Sequence, residues 1–195
     1  MDTIDFIFDF RSPYSYLAHS QLGTLAARVR HRPIAVLELM KQVNNTPTTV
    51  TCPAKRAYAG KDLARWAVRY GVPFGPMDMA RMDGDFLLRL ALAAGEVNLA
   101  DDLIGVLFKA VWGRQGDASV EGAPSLLAGA GLPATELIAA ANAGSTARAL
   151  ADATAEAAAL GVFGAPTFRV GEDLYFGNDR LDFVREALAS RREAA

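Results

Sequence analysis

The chain has few residues of the types that usually carry redox or metal chemistry. Its 195 residues include one cysteine, Cys52, and two histidines. A single cysteine cannot form an internal disulfide, and it excludes the CxxC pair of thiol–disulfide oxidoreductases. We predict no role for Cys52. Neither His19 nor His31 has a partner at the spacing of a metal site, so we predict that both are structural or surface residues and that the chain holds no metal.

An excess of charge of one sign and a long apolar run are also missing. The formal net charge is −2 and basic residues are interleaved with acidic ones, which argues against nucleic acid as a partner. No apolar run reaches the roughly 18 residues that a membrane-spanning helix needs. Residues 1–9 carry acids and make a poor signal peptide. We therefore expect a cytoplasmic protein with no membrane partner.

The start of the chain reads as strand, helix and strand. Apolar residues alternate with others over Thr3–Phe10, which predicts a strand. Ser12 is a good N-cap and Pro13 suits the first helical position, so a helix should run from Pro13 to about residue 29. Residues 32–37 read as a second strand. Such a βαβ unit favours a parallel pair of strands.

The middle of the chain predicts helices. Residues 41–53 are polar and interrupted by proline, which predicts a loop. Almost no strand-like alternation occurs between residues 38 and 160. Helical spacing is found over residues 57–70, 85–94, 100–113, 124–128, 134–141 and 145–160.

The end of the chain returns to strands. Residues 167–170 and 174–176 flank a glycine turn and predict a hairpin, and a last helix should cover residues 180–191. The order βαβ, helices, ββα is that of an α/β thioredoxin-like fold with a large all-helical insertion. We predict a thioredoxin-like domain in residues 1–38 and 161–195, and an insertion domain in residues 39–160.

Ser12 lies between the first strand and the first helix, where thioredoxin-like proteins keep their CxxC pair. The start of a helix carries partial positive charge and free N–H groups, which favour a thiolate. A serine hydroxyl is a poor nucleophile without an adjacent base, but it can donate a hydrogen bond to a thiolate that a ligand brings. Ser12 is therefore either a simple helix cap or one wall of a site for a borrowed thiol.

Two further segments carry candidate binding residues. Pro166 follows a glycine-rich turn and precedes a strand, the position of the cis-proline in a thioredoxin fold, so we predict a cis Ala165–Pro166 bond. The backbone of Ala165 would then be free to pair with an extended peptide such as glutathione. Asn178 and Asp179 open the last helix, where they either cap it or hold the γ-glutamyl end of that peptide.

Together the segments 8–18, 161–167 and 177–181 resemble those of the 2-hydroxychromene-2-carboxylate isomerases. That family groups with the kappa-class glutathione transferases in the DsbA-like branch of the thioredoxin superfamily. The resemblance covers nearly the whole chain and includes residues 62–67 and 70–73. It implies an isomerase of aromatic hydrocarbon catabolism that uses glutathione, acts on a small aromatic substrate and forms a homodimer.

The resemblance also implies roles for residues on the cofactor side. Ser12 is the expected catalytic residue, in contact with the glutathione sulfur, and Ala165 and Pro166 lie against the cysteinyl part. The expected contacts of the γ-glutamyl end are Phe176, Gly177, Asn178 and Asp179.

On the substrate side, Lys41 resembles the family's lysine near the substrate carboxylate, and Asn45 a neighbouring polar contact. We also expect Phe10 and Tyr14 to wall the aromatic ring. Residues 77–85 and 49–51 lack the other substrate contacts of the family.

The leading hypothesis is a glutathione-dependent isomerase that acts through addition of the glutathione thiolate. It would interconvert 2-hydroxychromene-2-carboxylate, or a related cyclic hemiketal acid, and trans-o-hydroxybenzylidenepyruvate. Two alternatives stay open: a kappa-class-like transferase that conjugates glutathione to electrophiles, and a non-catalytic peptide-binding module with the same groove.

Overall fold

A four-stranded sheet lies at the centre of the computed structural model, which describes residues 2–193. The strands are β1 (Thr3–Phe8), β2 (Arg28–Pro33), β3 (Thr167–Val170) and β4 (Asp173–Phe176), in the spatial order β2-β1-β3-β4. β1 pairs with β2 in parallel, and β3 is antiparallel to both β1 and β4. This arrangement confirms the predicted thioredoxin-like α/β fold.

Helices make up the rest of the regular structure. They are α1 (Pro13–His19), α2 (Val36–Gln42), α3 (Thr48–Thr51), α4 (Pro53–Tyr70), α5 (Gly84–Glu96), α6 (Ala100–Trp112), α7 (Ala123–Gly129), α8 (Ala134–Ala141), α9 (Gly144–Ala159) and α10 (Leu181–Glu193). Short 3₁₀ turns occur at Leu22–Thr24, Met79–Arg81 and Asn178–Arg180. Between β2 and β3 the regular structure is helical apart from one isolated bridge that joins Gly75 to Gly113, which confirms the helical insertion. Within residues 2–193, every helix is too short or too polar to cross a membrane.

The predicted length of the first helix is wrong. α1 ends at His19 rather than near residue 29, because Ser20 closes it: its hydroxyl donates to the carbonyl of Leu17 at 2.6 Å. The spacing of Leu22 and Leu25 suggested more helix. Leu22 lies instead in a 3₁₀ turn and Leu25 directly follows that turn, and both side chains are buried.

The second strand was also predicted too late, at residues 32–37 instead of Arg28–Pro33. Its sequence looks too basic for a strand, but β2 is an edge strand whose basic groups meet acids. Arg30 donates to Asp5 Oδ2 at 2.8 Å, and Arg32 lies 2.5 Å from Glu156. Electrostatic pairing therefore replaces the apolar alternation on which sequence reasoning depends.

The region predicted as a loop, residues 41–53, is partly helical. Lys41 lies in the last turn of α2, and α3 forms one short turn at Thr48–Thr51. Asn45 falls between these helices. Val36, which the predicted strand included, is buried with Leu39 on one face of α2.

One apolar core joins the sheet to the inserted helices. Phe108 on α6 has no exposed surface, and its ring centroid lies 5.5 Å from that of Phe8 and 4.7 Å from that of Phe10. A smaller cluster, which includes Ile7 and Leu39, lies under α2 and α9. The two predicted domains therefore share buried surface, and their separation as domains stays a prediction.

The two histidines are partly buried and pack on aromatic rings, which agrees with a structural role. The His19 ring is 5.0 Å from that of Phe108 and 6.1 Å from that of His31. Burial lowers the pKa of His19 to about 4, and the nearby charges of His31 and Lys109 act in the same direction. Burial also lowers the pKa of His31, against the opposing charge of Asp101.

We expect acid to destabilise the protein partly through His19. In the unfolded chain a histidine titrates near pH 6.5, so the stability that neutral His19 contributes is complete above about that pH. It is lost as the pH falls towards about 4, because the unfolded state then binds a proton that the folded state does not. Between about pH 7 and about pH 5 the loss is about 2 kcal/mol.

The measurement is the free energy of unfolding in denaturant over this pH range. His19→Gln should be less stable at neutral pH but should lose about 2 kcal/mol less on acidification. Equal pH slopes for the two proteins would contradict the prediction.

Candidate functional site

Ser12 is the N-cap of α1 and contacts the segment before β3. Its backbone is extended, and its Oγ accepts a hydrogen bond from the Ser15 amide at 3.2 Å. The same Oγ donates to the carbonyl of Ala165 at 2.9 Å. One hydroxyl therefore joins two of the predicted site segments, which are 153 residues apart in sequence.

The third segment meets the second through the backbone. The Ala165–Pro166 peptide bond is cis, as predicted, and the carbonyl of Pro166 accepts a hydrogen bond from the Gly177 amide at 2.9 Å. Phe176 packs closely on Gly164. A Cβ atom added at position 164 would lie 2.8 Å from Phe176 Cε2. Glycine at position 164 thus allows the edge of β4 to approach this loop.

Asn178 and Asp179 play different parts in this turn. The Asn178 side chain is buried, its Nδ2 has no hydrogen-bond partner within the described residues, and Tyr70 donates to its carbonyl at 2.8 Å. The role of Asn178 in holding a ligand stays a prediction. Asp179 is exposed, lies 2.5 Å from Arg180, and lines a cavity of about 120 Å³ with Trp66.

Tyr14 opens onto a larger cavity between α1 and α4. Its hydroxyl donates to Asp62 Oδ2 at 3.1 Å, and burial together with the Asp62 charge raises the pKa of Tyr14 to about 12. The cavity has a volume of about 450 Å³, and its wall includes Lys55 and Tyr58. Sequence reasoning gave neither wall residue a role, although their spacing with Asp62 places all three along one side of α4.

Phe10 does not belong to this site, which corrects the prediction that it walls a substrate ring. It has no exposed surface, and its carbonyl accepts a hydrogen bond from Trp112 Nε1 at 2.7 Å. The exposed aromatic rings near Ala165 are instead Phe163 and Phe176, whose centroids are 4.7 Å apart. Phe163 had no predicted role.

Lys41 and Asn45 lie at the end of α2 and just after it. Lys41 is exposed, and its Nζ is 3.3 Å from Glu38 Oε2. Asn45 Nδ2 donates to the carbonyl of Phe163 at 2.8 Å, which ties it to the segment that carries Ala165. The structure thus brings Asn45 to the predicted site and leaves Lys41 on the adjoining turn of α2.

Comparisons with known proteins agree with this architecture. The family model of the DSBA-like thioredoxin domain matches residues 3–189. The chain is 31% identical over 196 residues to the 2-hydroxychromene-2-carboxylate isomerase of Pseudomonas putida, covering 95% of this chain and 93% of the relative. It is 33% identical over 193 residues to the same enzyme of Sphingobium xenophagum, covering 95% and 97%.

A solved structure of a 2-hydroxychromene-2-carboxylate isomerase has the same fold as this chain. It superposes with a TM-score of 0.87 at 28% sequence identity, covering 98% of each chain.

Proposed function

Because the chain belongs to the DSBA-like thioredoxin domain family and, within it, to the 2-hydroxychromene-2-carboxylate isomerases, we propose that it is a glutathione-dependent isomerase. Its proposed substrate is 2-hydroxychromene-2-carboxylate or a related cyclic hemiketal acid. Its product is then trans-o-hydroxybenzylidenepyruvate, or the corresponding ring-opened acid.

The observation that carries the cofactor proposal is the contact between Ser12 Oγ and the Ala165 carbonyl. The surrounding donor set suits glutathione: a hydroxyl for its sulfur, a backbone segment for its peptide, the Asp179 carboxylate for its ammonium and the Lys55 ammonium for a carboxylate. When bound, glutathione supplies a thiolate that can add to a conjugated carbon of the substrate.

Ser12 acts on that thiolate as a hydrogen-bond donor. Its single hydroxyl proton is donated to Ala165 in this structure, and rotation about the Cβ–Oγ bond can aim it at a sulfur instead. The Ser15 amide still donates to Oγ and keeps the side chain in place. The partial positive charge at the start of α1 adds to the stabilisation of the thiolate.

The substrate contacts are proposed on both sides of Ser12. Tyr14 walls the aromatic ring within the 450 Å³ cavity, and its raised pKa keeps the phenol protonated, so it acts as a donor rather than a base. Lys41 receives the substrate carboxylate, for which it must leave Glu38, and Asn45 orients the loop beside it.

Product analysis tests this function against its alternatives. With 2-hydroxychromene-2-carboxylate and a small amount of glutathione, we expect many turnovers to the ring-opened acid and full recovery of glutathione. Consumption of one glutathione per turnover would identify a transferase instead. Absence of glutathione binding at millimolar concentration in calorimetry would favour the peptide-binding module.

Asp179→Asn should weaken glutathione binding about tenfold, because a charged hydrogen bond to the ammonium is lost. Calorimetry measures the Kd, with Glu186→Gln, an exposed acid on α10, as the matched control. Glutaryl-cysteinyl-glycine, which lacks the ammonium, should bind the unaltered protein and Asp179→Asn equally well. An equal loss for both ligands would show that Asp179 acts only on the local structure.

Two further proposals concern the oligomeric state, which rests on the family alone, and the location, which rests on the cofactor. A homodimer is proposed, and its test is the mass in solution by light scattering. A cytoplasmic location is proposed because the cytosol maintains reduced glutathione.

A further inference from the structure

Asp9 is a fully buried acid close to Ser12 that the proposed function does not use. Its carboxylate accepts hydrogen bonds from the Arg11 amide at 2.8 Å, from Arg11 Nη1 at 2.8 Å and from the Val36 amide at 2.9 Å. Its carbonyl accepts from the Ser12 amide at 3.0 Å. Asp9 thus holds the loop that carries Ser12 and ties it to the start of α2.

Arg11 is held between two acids. Its Nη1 bonds to Asp9, and its Nη2 donates to Asp85 Oδ1 at 2.5 Å at the start of α5. A Cβ atom on Gly84 would lie 2.4 Å from Arg11 Nε, so glycine leaves the room that the guanidinium needs. The guanidinium is therefore held between these two acids, on the residue directly before Ser12.

We propose that Arg11 is a positioning residue that balances the charge of Asp9 beside Ser12 and so keeps this position favourable to a thiolate. A buried carboxylate without a counterion would oppose the partial positive charge at the start of α1. Burial raises the pKa of Asp9, and the charge of Arg11 and the hydrogen bonds oppose that rise. This inference deepens the proposed function and rests on its assignment of Ser12 as the thiolate contact.

The test places a thiol of the protein itself at this position, so it does not depend on glutathione. In the double variant Ser12→Cys/Cys52→Ala, the pH dependence of alkylation by iodoacetamide reports the pKa of the introduced thiol. The other charged groups around the site are Lys55, Asp62, Asp85, the Asp179–Arg180 pair and the Glu38–Lys41 pair. These groups are the same in every variant compared.

Arg11→Met in this background should raise the thiol pKa by about one unit, and Asp9→Asn should lower it, because each removes one charge of opposite sign. Arg11→Lys keeps the charge and should restore most of the parent value. Arg30→Met is the matched control, since Arg30 on β2 pairs with the buried Asp5 of β1, four residues before Asp9 in the chain. It should leave the thiol pKa unchanged.

Shifts of the same sign for Arg11→Met and Asp9→Asn, or no shift for either, would overturn the inference. If Arg11→Met does not fold, the downward shift of Asp9→Asn and the parent-like value of Arg11→Lys decide it. Glutathione binding to the unaltered protein is measured separately by calorimetry. Failure of that binding removes the proposed function, whereas the thiol measurement still decides the role of Arg11.

Discussion

Ser12→Ala is expected to lower turnover at saturating glutathione about 100- to 1000-fold. Loss of one preorganised donor to a developing or resident anion has an effect of this size in other enzymes. Here the lost donor is the hydroxyl that bonds to Ala165 at 2.9 Å and is free to turn towards a sulfur. The thiolate population should fall as well, because within residues 2–193 no other side-chain hydroxyl bonds to both the start of α1 and Ala165.

The control for this prediction separates catalysis from helix capping. Loss of the Ser12 cap should cost only about 1 kcal/mol of stability. Ser20→Ala removes a hydroxyl from the other end of the same helix, where it donates to Leu17, and should leave turnover unchanged. Full turnover of Ser12→Ala at saturating glutathione would show that Ser12 is a cap alone.

Phe108→Ala is expected to reduce the free energy of unfolding by about 3–5 kcal/mol, the usual cost of removing a fully buried aromatic ring. Phe108 is on α6, in the helical insertion, but its ring contacts Phe8 and Phe10 from the sheet side and His19 from α1. The cavity left by its removal would lie where the insertion meets the thioredoxin-like part.

Denaturant unfolding followed by far-ultraviolet circular dichroism and by tryptophan fluorescence measures this loss. Both probes should move together, because the two parts share one core. The control is Phe183→Ala on α10, whose side chain is 54% exposed and whose loss should cost under about 0.5 kcal/mol. Separate transitions for the two probes would instead support the predicted division into a thioredoxin-like domain and an insertion domain.

Much of the fold could be predicted because its signals are local. β3 occupies the predicted residues Thr167–Val170, and Gly71 ends α4 in the left-handed conformation, with φ of 66°. Ser12 and Pro13 mark the start of α1 as a capping residue and a first-turn proline. Each signal depends on a few neighbouring residues, so the packing of the rest of the chain does not change it.

The errors arose where distant contacts decide the structure. β2 is a basic edge strand whose arginines pair with acids from other elements. The apolar residues in the range 32–37 belong partly to α2. Within the site, Asp9 and Arg11 looked like ordinary charged residues at the end of a strand. Their pairing across the loop and with α5 exists only once the helices are packed.

By itself the sequence determined the order of the elements, the serine at the start of the first helix and the three segments that meet at the candidate site. It did so because caps, turns and alternation are encoded within a few neighbouring residues. Only the tertiary structure decided which side chains face that site. Phe10 is buried because its ring packs on that of Phe108 from α6, with the centroids 4.7 Å apart. Lys55 and Tyr58 reach the cavity because α4 packs beside α1.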